Sequence, residues 1–249
     1  MSVRRHLYRV RVRSNDIDLL NHVSNVVYAE YATDAMAAAA RDGLLPAVPR
    51  VRQLAIDFLA PIRLADRDVV VESAVDGASV RQSFLVHRDG APVLAARTEI
   101  ACGPPAALPP SRPGGQVYEH VVRPSDTDGT GSLTAARAFR LVQEARNQLF
   151  EPSREPTEAD YRVVARTECV LGAPMPWRDE PYLPRSWVDH LGTSSATVVT
   201  EVGDEQRVHL RATSVIVSWD HRGRRSRPLT PDLRDRWSRL GSGPAGTAQ

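Results

Sequence analysis

YRVRVRSNDIDLLNHVSNVVYAEY, residues 8–31, decides the architecture, because a weakened copy of its first half returns as YEHVVRPSDTD from Tyr118. Tyr8, Asp16 and Asp18 match Tyr118, Asp126 and Asp128 at a constant offset of 110 residues. A second pair of segments agrees: APIRLADRD from Ala60 returns as APMPWRDEP from Ala173, an offset of 113. Two landmarks in the same order at nearly the same spacing read as a duplicated domain.

Each copy carries the same order of elements. In the first, residues 6–13 alternate like a strand and lead into the Asp-rich turn. A helix follows from about Ser24 to Arg41, closed by Gly43, with Val27, Tyr31, Ala35 and Ala38 on one face and Ser24 or Asn25 as N-cap. Strands are expected at 50–59, 67–75, 79–88 and 92–101, with hairpins at Asp76-Gly77 and Asp89-Gly90. In the second copy a strand at 117–123 precedes a helix at 134–149, with Ala138, Val142, Ala145 and Leu149 on one face. Strands at 161–171, 182–190, 194–202 and 207–219 and a short helix at 231–239 complete it.

The expected fold is α+β, an antiparallel sheet wrapped around a central helix, built twice. Residues 1–102 form the first unit, the Pro/Gly-rich stretch 103–116 a linker, 117–240 the second unit and 241–249 a disordered tail. A single unit would leave a sheet edge open. Duplication therefore predicts either a monomeric pseudo-dimer, two units pairing edge to edge, or a homo-oligomer.

Bulk numbers narrow the function. A net charge of +2 over 249 residues gives no reason to expect nucleic acid. No run reaches the length of a membrane span, and MSVRRHLYRV lacks the apolar core of a signal peptide, so a cytoplasmic location is expected. The chain has no lysine, so all 32 basic residues are arginine. Schiff-base, pyridoxal-phosphate and phosphate-loop chemistries, which need lysine, are excluded. Cys102 and Cys169 lack metal-ligand spacing and read as buried thiols.

The turn itself carries the chemistry. It packs Asp16, Asp18, Asn21, His22 and Asn25 against the start of a helix, where backbone N–H groups lack partners and the dipole is positive. A carboxylate and an imidazole beside such donors can attack a carbonyl and hold the oxyanion that forms. Asp16 reads as a turn residue bonded to loop amides. No further ligand cluster makes this Asp-x-Asp a metal site.

DIDLLNHVSNVVYAEY resembles the DxDxxGHVNNxxYxxY signature of hotdog-fold thioesterases, the group of 4-hydroxybenzoyl-CoA thioesterases and acyl-ACP thioesterases. The resemblance implies a tandem double hotdog and hydrolysis of an acyl-CoA or an acyl carrier protein thioester, without metal or organic cofactor. By the same resemblance Asp18 is the nucleophile or general base and His22 its partner in proton transfer. The backbone N–H of Asn25 polarises the carbonyl, and Asn21 and Tyr28 bind substrate. Asn21 stands where the signature has glycine, and Ser24 where it has the first asparagine. In the second unit Ser132, Ala135 and Ala138 replace His22, Asn25 and Tyr28, so one working site is expected, in the first unit. The alternatives are a hotdog hydratase or dehydratase on an acyl thioester, and a non-catalytic thioester-binding module.

Overall fold

The computed structural model describes residues 3–18, 20–46, 49–111, 114–150, 161–203 and 207–241. The chain divides into two compact units, Met1–Pro105 and Ala106–Gln249. The tail expected to be disordered lies outside the described residues from 242 onward.

The first unit runs β1 (Arg4–Arg11), α1 (Asn25–Arg41), β2 (Val51–Phe58), β3 (Asp68–Asp76), β4 (Ser79–Arg88) and β5 (Ala91–Cys102). Its strands are antiparallel in the order β1-β3-β4-β5-β2. β3 and β4 alternate buried and exposed residues, the period of a sheet with one covered face. The β4–β5 turn is Asp89-Gly90, and both residues take positive φ (51° and 78°), the geometry that matches the twist of a tight hairpin.

α1 lies on the covered face, against β1, β2 and β3. Alanine is the strongest helix former, and its small side chain lets helix and sheet approach closely. Ala29, Ala32, Ala35 and Ala39 are fully buried on this face. A polar network lies beneath them. The Gln82 amide donates to the Ala32 carbonyl at 3.0 Å and to Ser73 at 3.3 Å, and Thr98 donates to Gln82 at 2.9 Å. Gln82, Ser73 and Thr98 thus satisfy one another and the helix backbone, as burial demands.

The second unit repeats the plan with β6 (Gln116–Val117), α2 (Ala135–Phe150), β7 (Arg162–Leu171), β8 (Arg185–Leu191), β9 (Ser195–Gly203) and β10 (Val208–Asp220). The strand order β6-β8-β9-β10-β7 is that of the first unit, position for position. The buried face of α2 includes Ala138, Val142, Ala145 and Leu149, the four expected. A short β11 (Arg225–Ser226) pairs with β10. α3 (Pro231–Ser238), capped by the Thr230 hydroxyl on the Leu233 amide, packs Leu233 and Trp237 onto Phe150 and Val188.

Two expectations need correcting. The strand expected at 117–123 is only Gln116–Val117, followed by an isolated bridge from His120 to Tyr182. Its partner segment contains Pro181 and Pro184, which have no N–H to give a ladder. The stretch read as linker is partly fixed on the second unit. Ala106 N–H donates to Leu171 at 2.9 Å, and the Ser111 hydroxyl donates to the buried Glu201 carboxylate at 2.9 Å. Of the two thiols, Cys169 is buried and Cys102 only partly so.

Candidate active site

The turn that leads into α1 is held by its two aspartates in different ways. Asp16 is 4% exposed, and its Oδ2 accepts from the Arg13 amide at 2.7 Å and from the Tyr31 hydroxyl at 2.6 Å. Burial and this hydrogen bond push the Tyr31 hydroxyl well above its ordinary range, so it remains a proton donor. Asp16 is therefore a structural bolt between β1 and α1. Asp18 is exposed. Its Oδ1 accepts from the amides of Leu20 at 2.9 Å and His22 at 3.3 Å, while its own amide donates to the His22 carbonyl at 2.8 Å.

Asn21 closes the turn in the left-handed conformation, with φ of 59°. Asparagine tolerates that region better than most residues, although glycine alone occupies it without cost. The same place in the second unit is Gly131, with φ of 77°. The two turns are superposable in their bonds. Asp128 Oδ1 accepts from Thr130 at 2.8 Å and from Ser132 at 3.3 Å, and Asp128 N–H donates to Ser132 at 2.8 Å. Holding the turn is thus one job of this carboxylate in both units.

The helix starts differ. Ser24 is the N-cap of α1, but its side chain makes no capping hydrogen bond. In the second unit the Thr134 hydroxyl accepts from the Arg137 amide at 3.2 Å, so α2 closes its own end. An N-terminus without a side-chain cap keeps N–H donors available for an incoming anion. The first unit keeps these donors free of a side-chain cap beside Asp18, His22 and Asn25; in the second, Thr134 takes up the one on Arg137.

A strap between β2 and β3 buttresses the turn. Val23 N–H donates to the Ile62 carbonyl at 2.8 Å, and Ile62 N–H donates to the Tyr28 hydroxyl at 3.2 Å. Tyr28 is 3% exposed, edge-on to Phe58 with centroids 5.2 Å apart. Burial pushes its hydroxyl up to about 12. The strap is clamped in turn by Arg88, which forms two hydrogen bonds to Asp66, Nε to Oδ1 at 2.8 Å and the NH2 group to Oδ2 at 2.7 Å, and also donates to the Pro61 carbonyl. Burial works against the Asp66 charge, yet the Arg88 hydrogen bonds and the Arg63 amide outweigh it and hold the carboxyl below the usual range.

The turn therefore gathers Asp18, Asn21, His22 and Asn25 at one end of α1, with Tyr28 one helical turn further in and buried. Sequence reasoning overlooked Ile62, Asp66 and Arg88. Ile62 and Asp66 lie within the APIRLADRD landmark, which served only to reveal the repeat. Among the described residues no group of three or more His, Cys, Asp or Glu side chains could hold a metal ion. Nor is any described helix long and apolar enough to cross a membrane.

Residues 20–84, from within the turn through most of β4, match the family model of the thioesterase superfamily. The likeness to the thioesterase superfamily thus lies in the first unit. Thioester hydrolysis is the enzyme class that goes with it. No curated protein matches the chain. Among solved structures, an acyl-ACP thioesterase from Bacteroides thetaiotaomicron is 14% identical, covering 85% of this chain and 97% of its own, with a TM-score of 0.58. A 12:0-ACP thioesterase from Umbellularia californica is 12% identical, covering 86% and 94%, with a TM-score of 0.64. A protein of unknown function with a hot dog fold from Alicyclobacillus acidocaldarius is 12% identical, covering 86% and 93%, with a TM-score of 0.56. At these identities the likeness establishes the fold: α+β, a hotdog unit occurring twice, with the thioesterase-superfamily match in the first.

Proposed function

We propose that this chain hydrolyses acyl thioesters at one site, the start of α1 in the first unit, with coenzyme A or acyl carrier protein as the leaving thiol. The observation that carries the proposal is the contrast at the two helix starts: α1 has no side-chain cap beside Asp18, whereas Thr134 caps α2.

The thioester carbonyl oxygen would point at the N–H of Asn25, which stabilises negative charge as it develops; losing one such donor in other enzymes costs about 2.7–4 kcal/mol. Asp18 uses Oδ1 to hold its turn, and in this reading Oδ2 carries the chemistry. As a general base Oδ2 takes a proton from water while the water oxygen attacks the carbonyl carbon. The carbon–sulfur bond then breaks, and the thiolate leaves with a proton passed through His22. As a nucleophile the same oxygen attacks the carbonyl carbon, the carbon–sulfur bond breaks to release the thiolate, and water then opens the resulting acyl anhydride to give the acid and regenerate the carboxylate. Asn21, exposed in the turn, would contact the substrate directly, and Tyr28, which is buried, would act on it through its bond to Ile62. No step calls for a metal or an organic cofactor.

The test is thiol release from a panel of acyl-CoAs and acyl-ACPs of different chain length and ring content, run with wild type and Asp18→Asn. Release that depends on Asp18 supports the proposal. Conversion of the acyl group without free thiol would replace it with hydratase or dehydratase chemistry, and binding of the whole panel without turnover with a binding module.

A further inference from the structure

The strap and its clamp have a bearing on catalysis that the turn alone does not reveal. Three links run in series from the sheet to the start of α1. Arg88, the last residue of β4, grips Asp66 through two hydrogen bonds and the Pro61 carbonyl through a third. Pro61 is followed by Ile62, whose N–H is fixed on the Tyr28 hydroxyl at 3.2 Å. The Ile62 carbonyl receives the Val23 amide at 2.8 Å, one residue before the N-cap Ser24. The Arg63 amide adds a fourth tie, to Asp66 Oδ2 at 2.8 Å.

The second unit is an internal control. It keeps the last link, since Leu133 N–H donates to Met175 at 2.9 Å. The rest is built differently: Arg178 stacks over the Tyr182 ring at 3.8 Å and donates to the carbonyls of Glu180 and Pro181. Asp179, which stands at the place of Asp66 in the repeat, is exposed. The two-bond Arg–carboxylate clamp thus accompanies the unit that carries His22, Asn25 and Tyr28. A planar guanidinium paired fork-to-fork fixes geometry better than a point charge does.

We infer that Arg88 and Asp66 are positioning residues for the hydrolysis proposed above: they hold the 59–67 strap so that Val23, and with it the first N–H groups of α1, stay aimed at the substrate carbonyl. They touch no reacting atom; their effect passes through Pro61, Ile62 and Val23. The inference rests on the hydrolase reading for its catalytic readout and on amide exchange for an independent one.

The experiment uses the full chain with Arg88→Met, Arg88→Lys and Asp66→Asn, plus Asp179→Asn as control, and follows thiol release from the acyl-CoA hydrolysed fastest by wild type. Displacement of catalytic groups by about 1 Å costs up to roughly 100-fold, so kcat should fall by about 10–100-fold in Arg88→Met and Asp66→Asn. KM should stay within about twofold, the mark of an interaction needed in the transition state rather than in binding. Hydrogen exchange at the Val23 and Ile62 amides should accelerate in the same variants. Arg88→Lys keeps the charge without the fork and should fall between; if Arg88→Met does not fold, that variant decides. Asp179→Asn should leave kcat and both amides unchanged. Unchanged kcat with faster Val23 exchange overturns the inference, as does lost kcat with unchanged exchange. An Asp18→Asn enzyme as active as wild type, with Val23 exchange still responding to the clamp variants, would instead overturn the role of Asp18 and leave the clamp standing.

Discussion

The amide of Val23 donates to the carbonyl of Ile62 across 2.8 Å, joining the turn before α1 to the strap between β2 and β3. The counterpart pair, Leu133 and Met175, is joined at 2.9 Å. Val23 and Leu133 lie 110 residues apart; Ile62 and Met175 lie 113 apart. In each unit the turn that follows the first landmark is thus bonded to the second landmark.

The two turn aspartates should separate sharply by activity. Asn keeps the Oδ1 acceptor that binds the amides of Leu20 and His22, so Asp18→Asn should preserve the turn. It removes the basic oxygen, and turnover should drop by roughly 10²–10⁴-fold, the usual contribution of a positioned base. Asp128→Asn should leave the rate within about twofold, because no His22 or Asn25 stands beside it. Steady-state thiol release for both variants checks this, and equal losses would end the one-site proposal.

Capping should have opposite consequences in the two units. Ser24→Asp would place a carboxylate over the N–H groups of α1, stabilising the helix by about 0.5–2 kcal/mol and competing with the oxyanion. A higher melting temperature with a lower kcat is expected. Thr134→Ala removes the bond to Arg137 and should cost about 0.5–2 kcal/mol while leaving turnover unchanged. Thermal melts paired with thiol release read both variants.

Asn21 offers a test of backbone strain. At a φ of 59°, Asn21→Gly should be neutral or mildly stabilising, whereas a β-branched residue such as Val should destabilise by about 1–2 kcal/mol. Denaturant melts of the two variants distinguish these outcomes.

The clamp gives stability a defined pH dependence. The folded pKa of Asp66 is held below its unfolded value: burial opposes the charge, but the Arg88 and Arg63 hydrogen bonds outweigh it. A depressed carboxyl contributes stability above its unfolded pKa and loses it as pH falls through the folded one. Wild type should therefore lose an increment of stability in the acid range that Asp66→Asn never has. Denaturant midpoints measured from neutral to acid pH for the two proteins should converge as the pH drops.

Sequence alone determined the duplication, the order of elements and where the proposed site falls. Helix and strand periods survive in any environment that buries one face, so α1, α2 and the nine long strands β1–β5 and β7–β10 fall where the patterns put them to within about three residues. The signature also fixed which carboxylate to examine, since local turn geometry follows from local residues. Proline punctuation was the local signal missed: Pro181 and Pro184 shorten the pairing of β6.

Only the tertiary structure decided what braces the turn. Arg88 and Asp66 are 22 residues apart, and Tyr28 and Ile62 are 34 apart. Nothing local links them; the sheet brings β4 beside the strap, and a fork-to-fork pair needs both partners placed before it can form. The same holds at the helix starts. Ser24 and Thr134 are both able caps by residue type, yet only Thr134 caps its helix. Residue identity supplies the hydroxyl, but the surrounding fold sets whether it turns onto its own helix or leaves that end open.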